Sequence, residues 1–350
     1  MRDGAFFTDR TRALLVVLLA AILIFVAWQL SNVLLLGFGG VLVAVLLRNL
    51  AVGLSRWTRL PAGAALAVVV IASIGLGVAF AVSVGPRVAE QFGELWRTLP
   101  GALAQFRAFL ERFDWGRELV EAGTGPRPAT LLSLATGLVG TVFNALSDLL
   151  LVLVVALFLA ADPGSYRNGL LRLVPPARRA RAAEVLEAMG TGLWRWILGQ
   201  SIAMLIAAVA TAAGLMLLGI PLALALGILA GLLNFVPYLG PILAGVPAVL
   251  VAFAQGPTEA LQTLVLVVVI QSLEGYVVTP MLQRRAVAIP PALGILAIVG
   301  LGVLFGTYGV LFATPLLLVA MILIRMLYVE DALGDQDGGG EPERDTGNRP

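Results

Sequence analysis

The sequence predicts an all-α polytopic membrane protein with about six full spans plus two broken-helix hairpins that form an inverted repeat. Composition gives the class: 59% of the 350 residues are hydrophobic, 13% are charged, and the mean hydropathy is +0.97. Apolar runs of about 20 residues are long enough to cross a bilayer as helices, which excludes a soluble globular fold. An internal repeat and the placement of the arginines predict the rest of the architecture.

The internal repeat lies between Ile197 and Arg325, where one unit occurs twice. Each copy has an apolar helix with a Gln-Ser pair, followed by an apolar segment that Tyr and Gly interrupt near its middle. The matching segments are Gly199-Gln200-Ser201, Ile220-Pro221, Gly227-Ile228-Leu229-Ala230 and Pro237-Tyr238-Leu239-Gly240-Pro241 in the first copy, and Gln271-Ser272, Ile289-Pro290-Pro291, Gly294-Ile295-Leu296-Ala297 and Thr307-Tyr308-Gly309 in the second. Duplicated units with interrupted membrane helices are typical of small-molecule transporters.

The N-terminal part of the chain predicts three membrane helices. Apolar runs at 13–30 and 33–47 follow a charged N-terminus, and a third run covers 62–84. A signal peptide is disfavoured because the first run is long, lacks a small-residue cleavage site and is followed at once by the second run. We expect a retained helical hairpin.

Residues 85–130 form an extended polar region. Their apolar residues recur at helical spacing on both sides of Pro100-Gly101, and a proline followed by a glycine is a typical break between elements. We expect two amphipathic helices that lie on the membrane surface or pack against a neighbouring subunit.

A long span is predicted over 129–160, with Asn144, Ser147 and Asp148 near its middle and Asp162-Pro163-Gly164 just after its end. The connection that follows has the largest excess of arginine in the chain. Because arginine is enriched in cytoplasmic loops, we assign this connection to the cytoplasm.

The cytoplasmic assignment fixes the direction of the two copies. Residues 197–218 then cross outward, and 222–253 form either one bent span or a hairpin of two half-length helices. Each half has about 15 residues, or roughly 22 Å of helix, which is shorter than the roughly 30 Å hydrocarbon core and favours the hairpin. Residues 260–279 cross back inward, and a second hairpin over 291–326 enters from the cytoplasm. Two units of opposite orientation support transport by alternating access.

The chain therefore divides into six predicted units, the last of which is rich in Gly, Pro, Asp and Glu and is expected to be disordered. In order, the units are 1–84, the N-terminal transmembrane helices; 85–130, an amphipathic polar insertion; 131–196, a long transmembrane helix with the arginine-rich connection; 197–255, repeat 1; 260–327, repeat 2; and 328–350, the tail.

The motifs of the two copies carry a family resemblance. The sequence resembles the autoinducer-2 exporter (AI-2E) family, which includes PerM-like permeases and sodium/proton antiporters, from the first span to about residue 330. The motifs that carry it are Gly199-Gln200, Pro237-Tyr238-Leu239-Gly240-Pro241, Glu274 followed by Pro280, and Gly306-Thr307-Tyr308-Gly309 before Pro315. The resemblance implies export of a small polar molecule such as a signalling metabolite, driven by a proton or sodium gradient, by a homo-oligomer in the bacterial cytoplasmic (inner) membrane.

The two interrupted segments are the first candidates for a substrate or ion pathway. Proline removes a backbone donor and glycine permits unusual backbone angles, so these residues break helices inside the apolar zone. The freed backbone groups must be satisfied by protein, water or ligand, although a tight hairpin tip alone also explains the pattern. The candidate residues are Pro237, Tyr238, Gly240 and Pro241 in the first copy and Thr307, Tyr308 and Gly309 in the second.

Amide side chains in the apolar helices are the second set of candidates. Gln200 and Gln271 occupy equivalent places in the two copies, Ser201 follows the first, and Asn234 precedes the first interrupted segment. Such side chains either contact a ligand or hydrogen-bond one helix to another, and the sequence leaves both roles open.

Glu274 is the leading candidate for the coupling ion, and Asp148 is the second. Glu274 follows Gln271 by one helical turn, so the two share a face in a stretch with no other charge. A carboxylate at that depth can exchange a proton or cation; an ion pair with Arg284 or Arg285, or a surface position, is the alternative.

The composition excludes several kinds of chemistry. The chain has no Cys, His or Lys, and all 23 basic residues are Arg, which rules out disulfides, thiol nucleophiles, Cys/His metal sites and histidine proton relays. No phosphate-binding loop is present to bind ATP. We expect a secondary active transporter and not an enzyme, with a small polar solute and membrane lipid as its partners and no cofactor, metal or nucleic acid. A sodium/proton antiporter and a membrane scaffold or channel are the alternatives.

Overall fold

The computed structural model describes residues 28–121, 148–275 and 289–334, together with four isolated positions between 18 and 26. All regular structure in these ranges is helical. The helices are α1 (Ser31–Thr58), α2 (Ala62–Ser83), α3 (Gly85–Leu110), α4 (Asp114–Glu121), α5 (Asp148–Ala161), α6 (Pro163–Arg172), α7 (Arg179–Leu217), α8 (Ala223–Leu233), α9 (Leu239–Phe253), α10 (Pro257–Leu273) and α11 (Pro291–Leu323).

Several predictions fall on other parts of the chain. Asn144, Ser147, Arg284 and Arg285 lie outside the described residues, as do most of the first apolar run and the tail from 335 onward.

Four helices in the described ranges are long and apolar enough to cross a membrane: α1, α2, α7 and α11. α5 and α6 add a fifth span if they are counted together, but they are bent by 85° at Asp162. There the Asp162 carboxylate accepts a hydrogen bond from the Ser165 amide at 3.1 Å and caps the first turn of α6. The all-helical, multi-span prediction is confirmed. α10 is described over 17 residues, and the last residues of the span predicted over 260–279 lie outside the described residues.

α3 is one continuous helix, so the predicted break at Pro100-Gly101 is wrong. Leu95 and Leu103, on either side of Pro100, are each only 1% exposed, and both pack against the first repeat. Proline removes one helical hydrogen bond, but burying each leucine contributes about 2 kcal/mol and offsets that loss. The polar insertion therefore packs on α8 and α9 of its own chain.

α7 contains 39 residues and is about 58 Å long, so it extends well beyond the span predicted to begin at residue 197. Gly219 ends it with a φ of 70°, a left-handed conformation that glycine adopts without strain. The Ile220 amide then donates to the Leu215 carbonyl at 2.9 Å, and both side chains are buried. This C-terminal cap with its apolar contact turns the chain directly into α8.

α8 packs closely against the C-terminal half of α7 because small residues line the contact. A Cβ atom placed on Gly227 would lie 2.7 Å from the Ala208 carbonyl oxygen, and one on Gly231 would lie 2.8 Å from the Met204 carbonyl oxygen. The glycines thus let the two backbones approach, as is common between membrane helices. Since Gly231 contacts an earlier part of α7 than Gly227 does, α8 runs back along α7 from its C-terminal end.

α11 contacts the other half of α7. A Cβ atom on Gly192 would lie 2.8 Å from Ile322, and the Arg181 guanidinium donates to the Met326 carbonyl at 3.0 Å and to Glu330 at 2.7 Å. The end of α11 and the residues that directly follow it are therefore fixed to the N-terminal half of α7. α1, α7 and α11 also share an apolar core, whose buried members are Leu35, Leu42, Leu193, Ile197, Phe312, Leu318 and Ile322.

Candidate functional site

The first interrupted segment is a hairpin, formed by α8 and α9 with a turn between Leu233 and Leu239. Tyr238 has φ 66° and ψ −48°, and Gly240 is buried against the opposite arm. A Cβ atom on Gly240 would collide with the Leu233 carbonyl oxygen, so only glycine fits where the arms meet. We call this the first hairpin; its geometry agrees with two half-length helices rather than one bent span.

Three predicted polar residues meet beside the first hairpin. The Gln200 side-chain amide of α7 donates to the Asn234 carbonyl oxygen at 2.6 Å, and the Asn234 side-chain amide donates to Glu274 Oε1 at 2.7 Å. Asn234 is only 2% exposed, and its neighbour Phe235 packs edge-on against Trp196 of α7. One asparagine at the tip thus connects α7 to the end of α10.

Glu274 keeps one oxygen free of this network. Its Oε2 atom is buried and has no hydrogen-bond partner among the described residues. A buried carboxylate oxygen without a donor is unfavourable when ionised, and it is satisfied by a proton, a cation or a ligand donor. Its two predicted arginine partners lie outside the described residues, so the ion-pair alternative stays a prediction.

Two cavities lie next to this network, and Pro241 and Gln271 line both. The smaller lies between α7, α8, α9 and α10, and Thr211 is one of its lining residues. Its volume of about 10 Å³ is large enough for about one water molecule. The larger is an apolar groove of about 820 Å³ between α3, α9 and α10. The structure therefore places Gln271 in a cavity wall one turn before Glu274.

The second interrupted segment breaks α11 at Gly306, which has φ 62° and ψ −142°. A Cβ atom on Gly309 would collide with the Leu301 carbonyl oxygen. Eight residues of straight helix would separate these positions by about 12 Å, so the chain turns back on itself here. We call the two arms of α11 the second hairpin. Its glycine contact matches the Gly240–Leu233 contact of the first.

The second hairpin also has a carboxylate at its tip. The Tyr308 hydroxyl donates a hydrogen bond to Asp148 at the start of the described part of α5. The two predicted coupling carboxylates thus lie at different hairpins: Glu274 is bound at the first and Asp148 at the second.

Other predicted residues are not drawn into these networks. The Ser201 hydroxyl donates to Ile197 within its own helix at 2.7 Å, and Thr307 is exposed. Pro237 accepts a tight-turn hydrogen bond from the Leu239 amide. Tyr238 is 46% exposed, and its ring lies beside Gly294, at the start of the second hairpin.

Sequence reasoning missed Gln91. Its side-chain oxygen accepts a hydrogen bond from the Ala225 amide at 3.0 Å and thereby caps the first turn of α8 from the polar helix α3. No local signal marks this residue, because its role depends on the packing of α3 over the first hairpin.

Comparison with known proteins identifies the family. The sequence model of the family described as "AI-2E family transporter" matches residues 13–328 of this chain. The chain is 25% identical to YueF of Bacillus subtilis (strain 168), described as a transport protein, over 73% of this chain and 74% of that protein. It is 29% identical to PerM of Escherichia coli (strain K12), described as a permease, over 72% and 75%. It is 25% identical to TqsA of the same strain, described as an AI-2 transport protein, over 81% and 83%.

Two interrupted hairpins, at least four membrane-length helices and a match across nearly the whole chain thus lead to one conclusion: this protein belongs to the AI-2E transporter family, a family of multi-pass membrane transport proteins.

Proposed function

We propose that this protein is a secondary active transporter that works by alternating access and that Glu274 carries its coupling ion. The Gln200–Asn234–Glu274 network carries this proposal. Its three residues come from the spanning helix α7 (Gln200), the tip of the first hairpin (Asn234) and the residue after α10 (Glu274). The Glu274 carboxylate keeps one oxygen without a partner among the described residues. When Glu274 gains a proton or a cation, the charge that faces Asn234 changes at the tip of the first hairpin.

The inverted repeat is supported by the direction in which the hairpins approach α7. The first hairpin follows the C-terminal end of α7 and runs back to Gln200, near the middle of that helix. The second hairpin ends at Gly192 and Arg181, in the N-terminal half of the helix. Hairpins that enter from opposite ends of one spanning helix are expected for units of opposite orientation.

We infer the solute and the setting from the family. The name of TqsA supports a small polar molecule such as an autoinducer-2-like signalling metabolite as the solute, moving outward. We propose that a proton or sodium gradient drives this export across the bacterial cytoplasmic membrane without a cofactor, in a homo-oligomer, and that the protein is not an enzyme.

A sodium/proton antiporter is the second candidate, because each hairpin tip contacts a carboxylate, Glu274 at one and Asp148 at the other. Flux into proteoliposomes under an imposed proton or sodium gradient separates the candidates. Gradient-driven movement of an added polar solute supports the exporter, and exchange of sodium for protons without any solute supports the antiporter. Absence of flux under every gradient would contradict both and favour a scaffold.

Cysteine labelling tests the topology. The chain lacks native cysteine, so Gln255→Cys, after the first hairpin, and Gln283→Cys, before the second, each introduce a single thiol. We expect a membrane-impermeant maleimide to label the two variants from opposite sides of the membrane in oriented vesicles. Labelling of both from the same side would contradict the inverted repeat, and labelling after detergent permeabilisation controls for accessibility.

A further inference from the structure

The apolar groove between α3, α9 and α10 is poorly matched in chemistry to a small polar solute. It measures about 820 Å³, a size that suits a drug-like molecule. None of the described residues that line it is charged, and its polar side chains are Gln271 and Ser272. The apolar walls include Phe106 from α3, Val246 from α9 and Val268 from α10. A small hydrophilic solute would gain little from such walls, because they offer few hydrogen-bonding groups.

A carboxylate borders this groove. Val267 and Gln271 line the groove and also the small cavity behind it. Glu274 continues the same row of α10, one turn after Gln271, and Gly275 beside it is again a lining residue. Glu274 does not itself line the groove, but it lies between two residues that do, Gln271 and Gly275. Its buried Oε2 atom lacks a partner among the residues that the structure describes.

We propose that the groove binds lipophilic monovalent cations, with the apolar body of the ligand between α9 and α10 and its positive charge facing Glu274. A carboxylate in an apolar environment is stabilised by an opposite charge, and an apolar body of drug size removes the groove walls from water or lipid. A phospholipid acyl chain could also fill the apolar space, but it would leave the carboxylate uncompensated. Charge complementarity therefore favours the cation. This inference rests on the proposed function only in placing Glu274 on the ligand pathway.

A pair of ions with the same shape and opposite charge tests the proposal. Tetraphenylphosphonium and tetraphenylborate present the same four phenyl groups, so they differ in charge and hardly in size. We expect the purified, detergent-solubilised wild-type protein to bind tetraphenylphosphonium in equilibrium dialysis and to bind tetraphenylborate at least about tenfold more weakly, which is the scale of one charged interaction. Equal binding of both ions would overturn the proposal and identify the groove as a lipid-facing surface.

Three variants locate the binding. Val268→Trp fills the groove from α10, whereas the matched control Val269→Trp adds the same bulk to a similarly exposed valine that does not line it. We expect Val268→Trp and Glu274→Gln each to weaken tetraphenylphosphonium binding by at least about tenfold and Val269→Trp to leave it unchanged. Wild-type affinity in folded Val268→Trp and Glu274→Gln proteins would overturn the proposal, with folding checked by gel filtration and thermal unfolding.

This measurement is independent of transport. Cation binding without any gradient-driven flux would uphold the groove as a binding site and contradict the proposed transport function. Gradient-driven flux of a polar solute without selective cation binding would support the proposed transport function and contradict the groove as a cation-binding site.

Discussion

Replacing Glu274 by glutamine is expected to abolish gradient-driven transport and to leave solute exchange intact. Glutamine keeps the volume of the side chain and can still accept the hydrogen bond from Asn234, but it cannot gain or lose a proton. Proteoliposomes that contain Glu274→Gln should therefore show gradient-driven flux no higher than empty liposomes. Exchange of labelled for unlabelled solute at equal concentrations should persist, because it needs the moving hairpins but no net transfer of the coupling ion.

Glu259→Gln is the matched control, since Glu259 lies in the first turn of α10 while Glu274 follows its last turn. About 22 Å of helix separate the two positions, so the control should keep both activities. If Glu274 were only a structural partner, its substitution would lower the melting temperature and reduce both fluxes together. Wild-type gradient-driven flux in a stable Glu274→Gln protein would contradict the coupling role and shift it to Asp148.

The second large effect is expected from adding one methyl group at a hairpin tip. Gly240→Ala and Gly309→Ala would each place a Cβ atom onto a backbone carbonyl, that of Leu233 or Leu301, and a carbonyl in a helix end cannot move aside as a flexible side chain can. Each hairpin would have to open, at a cost of about 1–3 kcal/mol or more, and transport should be lost. The measurements are the melting temperature in detergent and flux in proteoliposomes.

Gly300→Ala is a control that is expected to change stability in the opposite direction. Gly300 lies in the first arm of α11 with open space around it, so alanine should raise helix stability by up to about 1 kcal/mol. Stable and active Gly240→Ala and Gly309→Ala proteins would show that the hairpin arms do not meet as closely as described.

The sequence alone predicts the positions of both hairpin tips, because their cause is local. Proline and glycine act on the backbone at the place where they occur, and the break at Gly306 and the turn between Leu233 and Leu239 follow from them. The sequence also predicts Gln200, Asn234 and Glu274 as candidates, since polar groups in apolar helices are costly without partners.

Partners and packing were not predictable in the same way. The contact between Asn234 and Glu274 joins parts of the chain that no periodicity relates, and the pairing of Tyr308 with Asp148 spans a still longer separation. The break at Pro100 was predicted wrongly because the buried neighbours of α3 outweigh its local preference. Local rules therefore locate the candidate residues, and tertiary packing decides which of them meet.

The length of α7 has a mechanical consequence. The N-terminal and C-terminal halves of the helix contact different hairpins, and Gln200 lies close to its midpoint. A rigid rod held near its centre behaves as a lever, so its ends swing in opposite senses. With roughly 29 Å on each side of the midpoint, a tilt of about 5° would displace each end by about 2.5 Å. Nearer the pivot the movement is smaller. Gly192 and Ala208, which contacts Gly227, each lie eight residues or about 12 Å from Gln200, so these two contacts would shift by about 1 Å in opposite directions.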